Sequence, residues 1–117
     1  MDLLLQSQAS GFPVVGEVKV KNDKNAFFAL IQAMTYAVEL STPGQLNRLT
    51  KHFVEFGQLE PSKAGVEIAI LMVNPVNDRT LDPVLRLIGK LNQRKKCDGL
   101  AQLRLLNNCG EEWKIYS

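Results

Sequence analysis

Apolar and charged residues alternate in the segment 14–21, which reads VVGEVKVK. This period of two is typical of a β-strand in which Glu17 and Lys19 share one face and Val18 and Val20 share the other. Residues 2–8 also read as a strand, and the sequence SGFP at 10–13 is a strong turn signal between the two. The pattern therefore predicts a β-hairpin at the start of the chain.

Helical periodicity follows this hairpin. Asn22 and Asp23 offer an N-cap for a helix from about residue 24 to residue 40, whose apolar side chains surround much of its circumference. We expect such a helix to be buried on more than one side. Thr42 and Pro43 then predict the start of a second helix, because Thr42 can cap and Pro43 fits the first helical position.

The second half of the chain begins with an almost continuously apolar segment, VEIAILMV at 66–73, which predicts a central strand covered on both faces. An amphipathic helix is expected over 81–96 and a pair of strands over 100–106 and 111–116, joined through 107–110. The predicted order is β-β-α-α-β-α-β-β. It indicates an α/β fold in which helices flank a mixed sheet.

Composition narrows the class of protein. A chain of 117 residues with 45% hydrophobic residues is expected to form one domain, spanning 1–117. The net charge of +2 is too small to indicate nucleic-acid binding by itself. Cys97 and Cys109 lack the spacing of a metal site and read as reduced thiols. Without a signal peptide or an apolar span, we expect a cytoplasmic protein that has no membrane partner.

Three charged side chains at the start of the chain carry the chemistry. Asp2 heads the first predicted strand, and the hairpin can bring its carboxylate close to Glu17. Two carboxylates bind a hard cation such as Mg²⁺, and the Lys19 ammonium can meet a phosphate oxygen or an attacking water. The pattern is weak taken alone, because an alternating strand with one solvated face also explains acid-x-base spacing.

Gln32 and Tyr36 lie four residues apart in the first predicted helix, hence on one face. They interrupt an otherwise apolar surface, and two interpretations stay open. The pair satisfies backbone groups at the margin of the core, or it holds a nucleic-acid backbone and steadies Lys19.

The segments DLL at 2–4, VVGEVK at 14–19 and ALIQAMTYA at 29–37 together resemble the PD-(D/E)xK nuclease superfamily. The Gln-x-x-x-Tyr element is similar to that of its RecB-type members. The resemblance implies a restriction-endonuclease-like fold and hydrolysis of phosphodiester bonds in DNA. It assigns Mg²⁺ or Mn²⁺ binding to Asp2, Glu17 and the Val18 carbonyl. It assigns catalysis to Lys19 and support of the site to Gln32 and Tyr36.

The family usually begins with a helix and a further strand ahead of the first acid, and this chain has neither. We therefore expect either that the chain is part of a longer protein or that a second subunit covers the open edge. The alternative function is a non-catalytic dimeric interaction module that keeps the nuclease-like fold. We expect a homodimer whether the protein is a nuclease or an interaction module.

Overall fold

The computed structural model of the protein describes residues 1–20, 25–94 and 99–117. The strands are β1 (Leu3–Gln6), β2 (Pro13–Lys19), β3 (Val66–Met72), β4 (Leu100–Asn108) and β5 (Trp113–Tyr116). The helices are α1 (Ala26–Leu40), α2 (Pro43–His52) and α3 (Asp78–Gln93), and a short 3₁₀ helix covers Val54–Phe56. No helix among the described residues is long and apolar enough to cross a membrane.

The five strands form one sheet in the order β1-β2-β3-β4-β5. The three central strands are parallel, and the two outer strands run antiparallel to their neighbours. The predicted α/β class with a mixed sheet is therefore confirmed. Gly11 in the turn between β1 and β2 has φ +76°, a left-handed conformation that favours glycine, as the predicted turn requires.

All three helices pack against one face of the sheet. Successive parallel strands are added in one direction, and right-handed crossovers then place every connecting helix on the same side. The core on this side is formed by alternate strand residues and by apolar residues of each helix. These include Val15, Ile68, Ile70, Leu103 and Leu105 from the strands and Ala33, Leu46 and Ile88 from the helices.

The expectation of helices on both faces is therefore wrong for the described residues, and so is the expectation that β3 is covered on both sides. Ala69 and Leu71 point to the opposite face of β3 and are only half-buried. The apolar run gave no sign of this asymmetry, because the covered face is determined by strand order and crossover handedness.

Capping explains where two helices begin. The N-cap of α1 is Asn25, whose Oδ1 accepts a hydrogen bond of 2.9 Å from Phe28 N. The cap expected at Asn22 and Asp23 lies outside the described residues. Thr42 caps α2 and Pro43 occupies its first turn, which confirms that prediction.

The second half of the chain differs from the prediction at three boundaries. α3 begins at Asp78 because Asn77 caps it, three residues before the expected start. β4 continues to Asn108 because the buried Asn107 side chain pairs with the backbone of Val76, which satisfies a polar group inside the core. β5 begins at Trp113, two residues after the expected start, so the turn keeps its expected length and is shifted to 109–112. Cys109 is a free, exposed thiol, whereas Cys97 lies outside the described residues.

Candidate active site

The hairpin brings the first two acids of the sequence motif together. Leu3 pairs with Gly16, so Asp2 and Glu17 are the next residues of the two antiparallel segments. The Asp2 amide donates a hydrogen bond of 3.1 Å to the Gly16 carbonyl and not to Glu17, so the regular pairing ends at Leu3. Strand alternation directs Glu17 and Lys19 to the face that the helices cover, whereas the Asp2 side chain, which precedes β1, lies beside the Val18 amide.

The peptide groups of Val18 point towards Asp2. The Lys19 carbonyl accepts a hydrogen bond of 2.9 Å from Val73 N on the β3 side, so the preceding residue turns its N–H and C=O towards β1. Beyond the end of β1, the Val18 amide donates a hydrogen bond of 2.8 Å to Asp2 Oδ2. The Val18 carbonyl is directed to the same side, where the Asp2 carboxylate lies.

Glu17 is a buried carboxylate that lacks a full set of partners. Its side chain is 4% exposed, and Oε1 has no hydrogen-bond partner among the described residues. The α-amino group of Met1 lies 3.4 Å from Oε1, close enough for electrostatic attraction but not aligned for a hydrogen bond. Burying an ionised carboxylate is costly without a compensating cation or donor. The Met1 ammonium supplies the compensating positive charge beside this oxygen.

Electrostatics keep the Asp2 carboxyl ionised. The hydrogen bond from the Val18 amide lowers the pKa of Asp2 most strongly. A hydrogen-bonding interaction with Glu17 and the positive charges of Met1 and Lys19 act in the same direction, while partial burial opposes them.

Lys19 lies on the same face as Glu17, two residues further along β2. Its side chain is half-buried, and Nζ is 5.5 Å from the centre of the Phe28 ring. A cation at this distance from an aromatic ring is attracted by the ring quadrupole. Phe28 therefore helps to position the ammonium. Sequence reasoning gave it no role, although it precedes Gln32 by four residues.

Gln32 and Tyr36 lie on the flank of α1 that continues from Phe28. Gln32 is half-buried, and Tyr36 is exposed. Tyr36 lines a cavity of about 200 Å³ together with Met1, Glu39, Leu40 and Gln45. Because Met1 lines the same cavity, Tyr36 lies near the end of the sheet at which Asp2 lies. The structure thus gathers Asp2, Glu17, Lys19 and Tyr36 in one region, with Gln32 between Phe28 and Tyr36 on the helix.

The donor set determines which cations suit this region. Within residues 1–20, 25–94 and 99–117, no group of three or more His, Cys, Asp or Glu side chains is arranged to hold a metal ion. Two carboxylates and a backbone carbonyl provide oxygen ligands alone, and Mg²⁺ is commonly bound by one or two carboxylates while it keeps several waters. The orphaned oxygen of Glu17 is also consistent with a cation there. The residues present therefore fit a hard divalent cation better than zinc.

Two further polar clusters were missed by sequence reasoning. Glu67 is 3% exposed on the opposite face, where Arg104 Nη1 lies 2.5 Å from Oε1 and the Ser10 hydroxyl donates to Oε2. At the start of α3, Asp78 accepts hydrogen bonds of 3.0 Å from Lys114 and 2.5 Å from Tyr116. Both clusters have internally matched partners, so they serve to connect elements of the fold.

The cluster at α3 also shifts the pKa of each of its members. The Tyr116 hydroxyl, and then Lys114, hold the pKa of Asp78 below its usual range. The same interactions raise the pKa of Lys114, chiefly through Asp78, and burial raises the pKa of Tyr116.

Comparison of the chain with protein-family models, with curated proteins and with solved structures gave no match. The geometry of the site is therefore the basis for the proposed function.

Proposed function

We propose that the protein is a Mg²⁺-dependent nuclease that hydrolyses phosphodiester bonds in DNA. The observation that carries this proposal is the buried Glu17 carboxyl group, which has an oxygen without a hydrogen-bond partner among the described residues, next to an Asp2 carboxyl that the Val18 amide holds in place. Glu67 has both oxygens matched by hydrogen bonds, whereas Glu17 Oε1 has the Met1 ammonium 3.4 Å away and no hydrogen bond.

Asp2, Glu17 and the Val18 carbonyl would hold Mg²⁺ or Mn²⁺. When bound, the ion supplies a Lewis acid that lowers the pKa of a water molecule and neutralises negative charge on the phosphoryl group. The Val18 amide fixes the Asp2 carboxylate in position through its hydrogen bond of 2.8 Å. A backbone amide, and not a flexible side chain, therefore orients the Asp2 carboxylate.

Lys19 is the proposed catalytic residue. Its ammonium donates hydrogen bonds to a non-bridging phosphate oxygen and orients the attacking water, so positive charge lies where negative charge develops. Contact with the Phe28 ring limits the positions that the ammonium can take. Gln32 and Tyr36 line the helix side of the same region and support the nucleic-acid backbone.

A cleavage assay tests the proposal. Purified protein is incubated with a labelled DNA oligonucleotide and Mg²⁺, and Glu17→Gln and Lys19→Ala are compared with the exposed control Asp82→Asn. We expect both site variants to lose about 100-fold or more in rate, the scale of removing a group that stabilises transition-state charge, with no change in the control. Full activity in Glu17→Gln would show that the cleavage comes from elsewhere.

The alternative, a non-catalytic dimeric interaction module, is favoured by a different observation. The sheet face opposite the helices carries the exposed side chains of Leu3, Leu5, Trp113 and Ile115. Apolar patches of this kind often mark protein–protein contacts. A stable dimer that shows no metal-dependent cleavage would favour the module over the nuclease.

A further inference from the structure

A row of three side chains follows the flank of α1 beside the proposed site. Phe28, Gln32 and Tyr36 recur every four residues, so they lie above one another on the helix. Phe28 is 50% exposed and Tyr36 is 40% exposed. Eight residues of helix separate the two rings by about 12 Å.

One end of this row contacts the Lys19 side chain of the site, and the other end shares a cavity with Met1. The Phe28 ring lies 5.5 Å from Lys19 Nζ, and Tyr36 shares its cavity of about 200 Å³ with Met1. A cation beside one ring and a cavity beside the other are suited to different parts of a nucleotide. The ammonium attracts a backbone phosphate, whereas the cavity beside the second ring can admit a base.

The charged side chains beside the two rings determine how a bound strand is oriented. Glu39 lines the Tyr36 cavity and repels phosphate there, while Lys19 attracts phosphate at the Phe28 end. The backbone of a bound strand therefore follows the Lys19 side, and its bases point to the rings. Bases offer their faces to aromatic rings only when they are not stacked inside a duplex.

From this juxtaposition we propose that the row of Phe28, Gln32 and Tyr36 is a stacking platform for single-stranded nucleic acid. The inference rests on the proposed nuclease function and names its substrate class: the strand to be cleaved enters the site unpaired. Gln32 supplies amide donors and an acceptor between the two rings. The polar Gln32 side chain is better suited to contact a nucleotide than to contact an apolar protein surface.

A protein partner would favour a different side of α1. Phe27, Ile31 and Val38 are about half-exposed and form an apolar strip next to the row. Successive residues on a helix are about 100° apart, so Phe27 and Phe28 point in clearly different directions. The Phe28 side is the one that adjoins the Lys19 ammonium.

Fluorescence anisotropy in EDTA tests the platform, because binding is then measured without cleavage. The probes are a labelled oligothymidine and a duplex of equal length. Base–aromatic stacking contributes about 1–3 kcal/mol per base, or roughly 5- to 150-fold in affinity. We expect the wild-type protein to bind the single strand about tenfold tighter or more, and Phe28→Leu and Tyr36→Leu each to lose about fivefold or more of that affinity.

Two control variants separate stacking from other effects. Tyr36→Phe keeps the ring and should keep single-strand binding, which distinguishes stacking from a role of the hydroxyl group. Phe53→Leu removes a ring that is 47% exposed outside the row and should change nothing. Circular dichroism checks that each variant is folded, and leucine is chosen because it is a strong helix former.

Equal affinity for the single strand and the duplex would overturn the inference. So would variants of Phe28 and Tyr36 that bind normally but lose self-association in sedimentation, since the row would then be a protein contact. The nuclease proposal fails separately: a protein with the expected single-strand preference but no Mg²⁺-dependent cleavage is a binding module. Cleavage of duplex with no single-strand preference leaves the nuclease and removes the platform.

Discussion

Glu17 and Glu67 are two buried carboxylates on adjacent strands with opposite surroundings. Glu67 has both oxygens paired, whereas Glu17 has an oxygen that no described residue satisfies through a hydrogen bond. A buried carboxyl oxygen without a hydrogen bond costs stability, here offset in part by the Met1 ammonium 3.4 Å away, and perturbed groups of this kind cluster at functional sites. The difference between these two residues can therefore be measured as stability.

We predict that Glu17→Gln leaves the stability of the metal-free protein within about 1 kcal/mol of wild type, since the amide loses the attraction to the Met1 ammonium but can donate a hydrogen bond to Asp2. Urea unfolding in EDTA measures the effect. Glu67→Gln is the matched control and should lower stability by about 1–3 kcal/mol, because it weakens a pair whose Arg104 is 38% exposed. A loss of stability in both variants would mean that Glu17 is an ordinary structural carboxylate.

Metal binding is the second prediction at the scale of single residues. Calorimetric titration with Mg²⁺ or Mn²⁺ should show weak binding and little preference for Zn²⁺, because the proposed ligands are all oxygen atoms. Glu17→Ala should abolish the heat, whereas Asp82→Asn, an exposed carboxylate paired with Arg86, should leave it unchanged. Equal heats in Glu17→Ala and wild type would remove Glu17 from the ligand set.

At the scale of elements, Asp78 connects the first turn of α3 to the edge strand β5 through Lys114 and Tyr116. The pKa of Asp78 is lowered in the folded protein, so the connection stabilises the fold above the unfolded pKa of about 4 and is lost as pH falls through the folded value. We predict that Asp78→Asn lowers the urea midpoint at pH 7 and that the difference from wild type shrinks towards pH 3.

The exposed pair of Asp82 and Arg86 on α3 provides the control for this pH dependence. Asp82→Asn should shift the midpoint little at any pH, because exposed ion pairs contribute little to stability. A difference between wild type and Asp78→Asn that is as large at pH 3 as at pH 7 would show that the carboxylate charge is not its cause.

Elements with strong local signals were predictable from sequence. Alternation located β2, and the Thr42 cap located the start of α2. The start of α3 was missed because an asparagine-rich and proline-containing segment reads as a loop until Asn77 is seen to cap it. β4 was cut short at Asn107, because a polar residue inside a strand is predictable only if its partner, the Val76 backbone, is known.

The site was predictable to a similar extent. Strand period and a hairpin are local features, so they suffice to place Glu17 and Lys19 on one face and to bring Asp2 next to the end of β2. The burial of Glu17 and the contact between Lys19 and Phe28 depend on how α1 packs across the sheet. That packing is tertiary, and no local pattern in the sequence encodes it.

At the scale of the whole molecule, the sheet has one covered and one open face. Alternation directs Leu3, Leu5, Trp113 and Ile115 to the open face, and these side chains are 37%, 44%, 43% and 62% exposed. Sheets with parallel strands are usually covered on both faces. Tyr116, on the same strand, packs against the helix side, and its hydroxyl donates a hydrogen bond to Asp78.

We predict that the chain self-associates through this open face, since a second copy would cover the exposed apolar side chains and the adjacent strand edges. Sedimentation velocity at micromolar concentration should show a species larger than the 13.1 kDa chain. Ile115→Lys should shift the distribution to the monomer, because a charge buried in an apolar contact must be desolvated.

Val54→Lys is the matched control, since Val54 is 89% exposed in the 3₁₀ helix, outside the sheet. It introduces the same charge and should leave self-association unchanged. If Val54→Lys dissociates the protein as strongly as Ile115→Lys, net charge rather than the open face controls assembly. A single 13.1 kDa species in the wild type at all concentrations would contradict self-association itself, and the open face would then be exposed in the isolated chain.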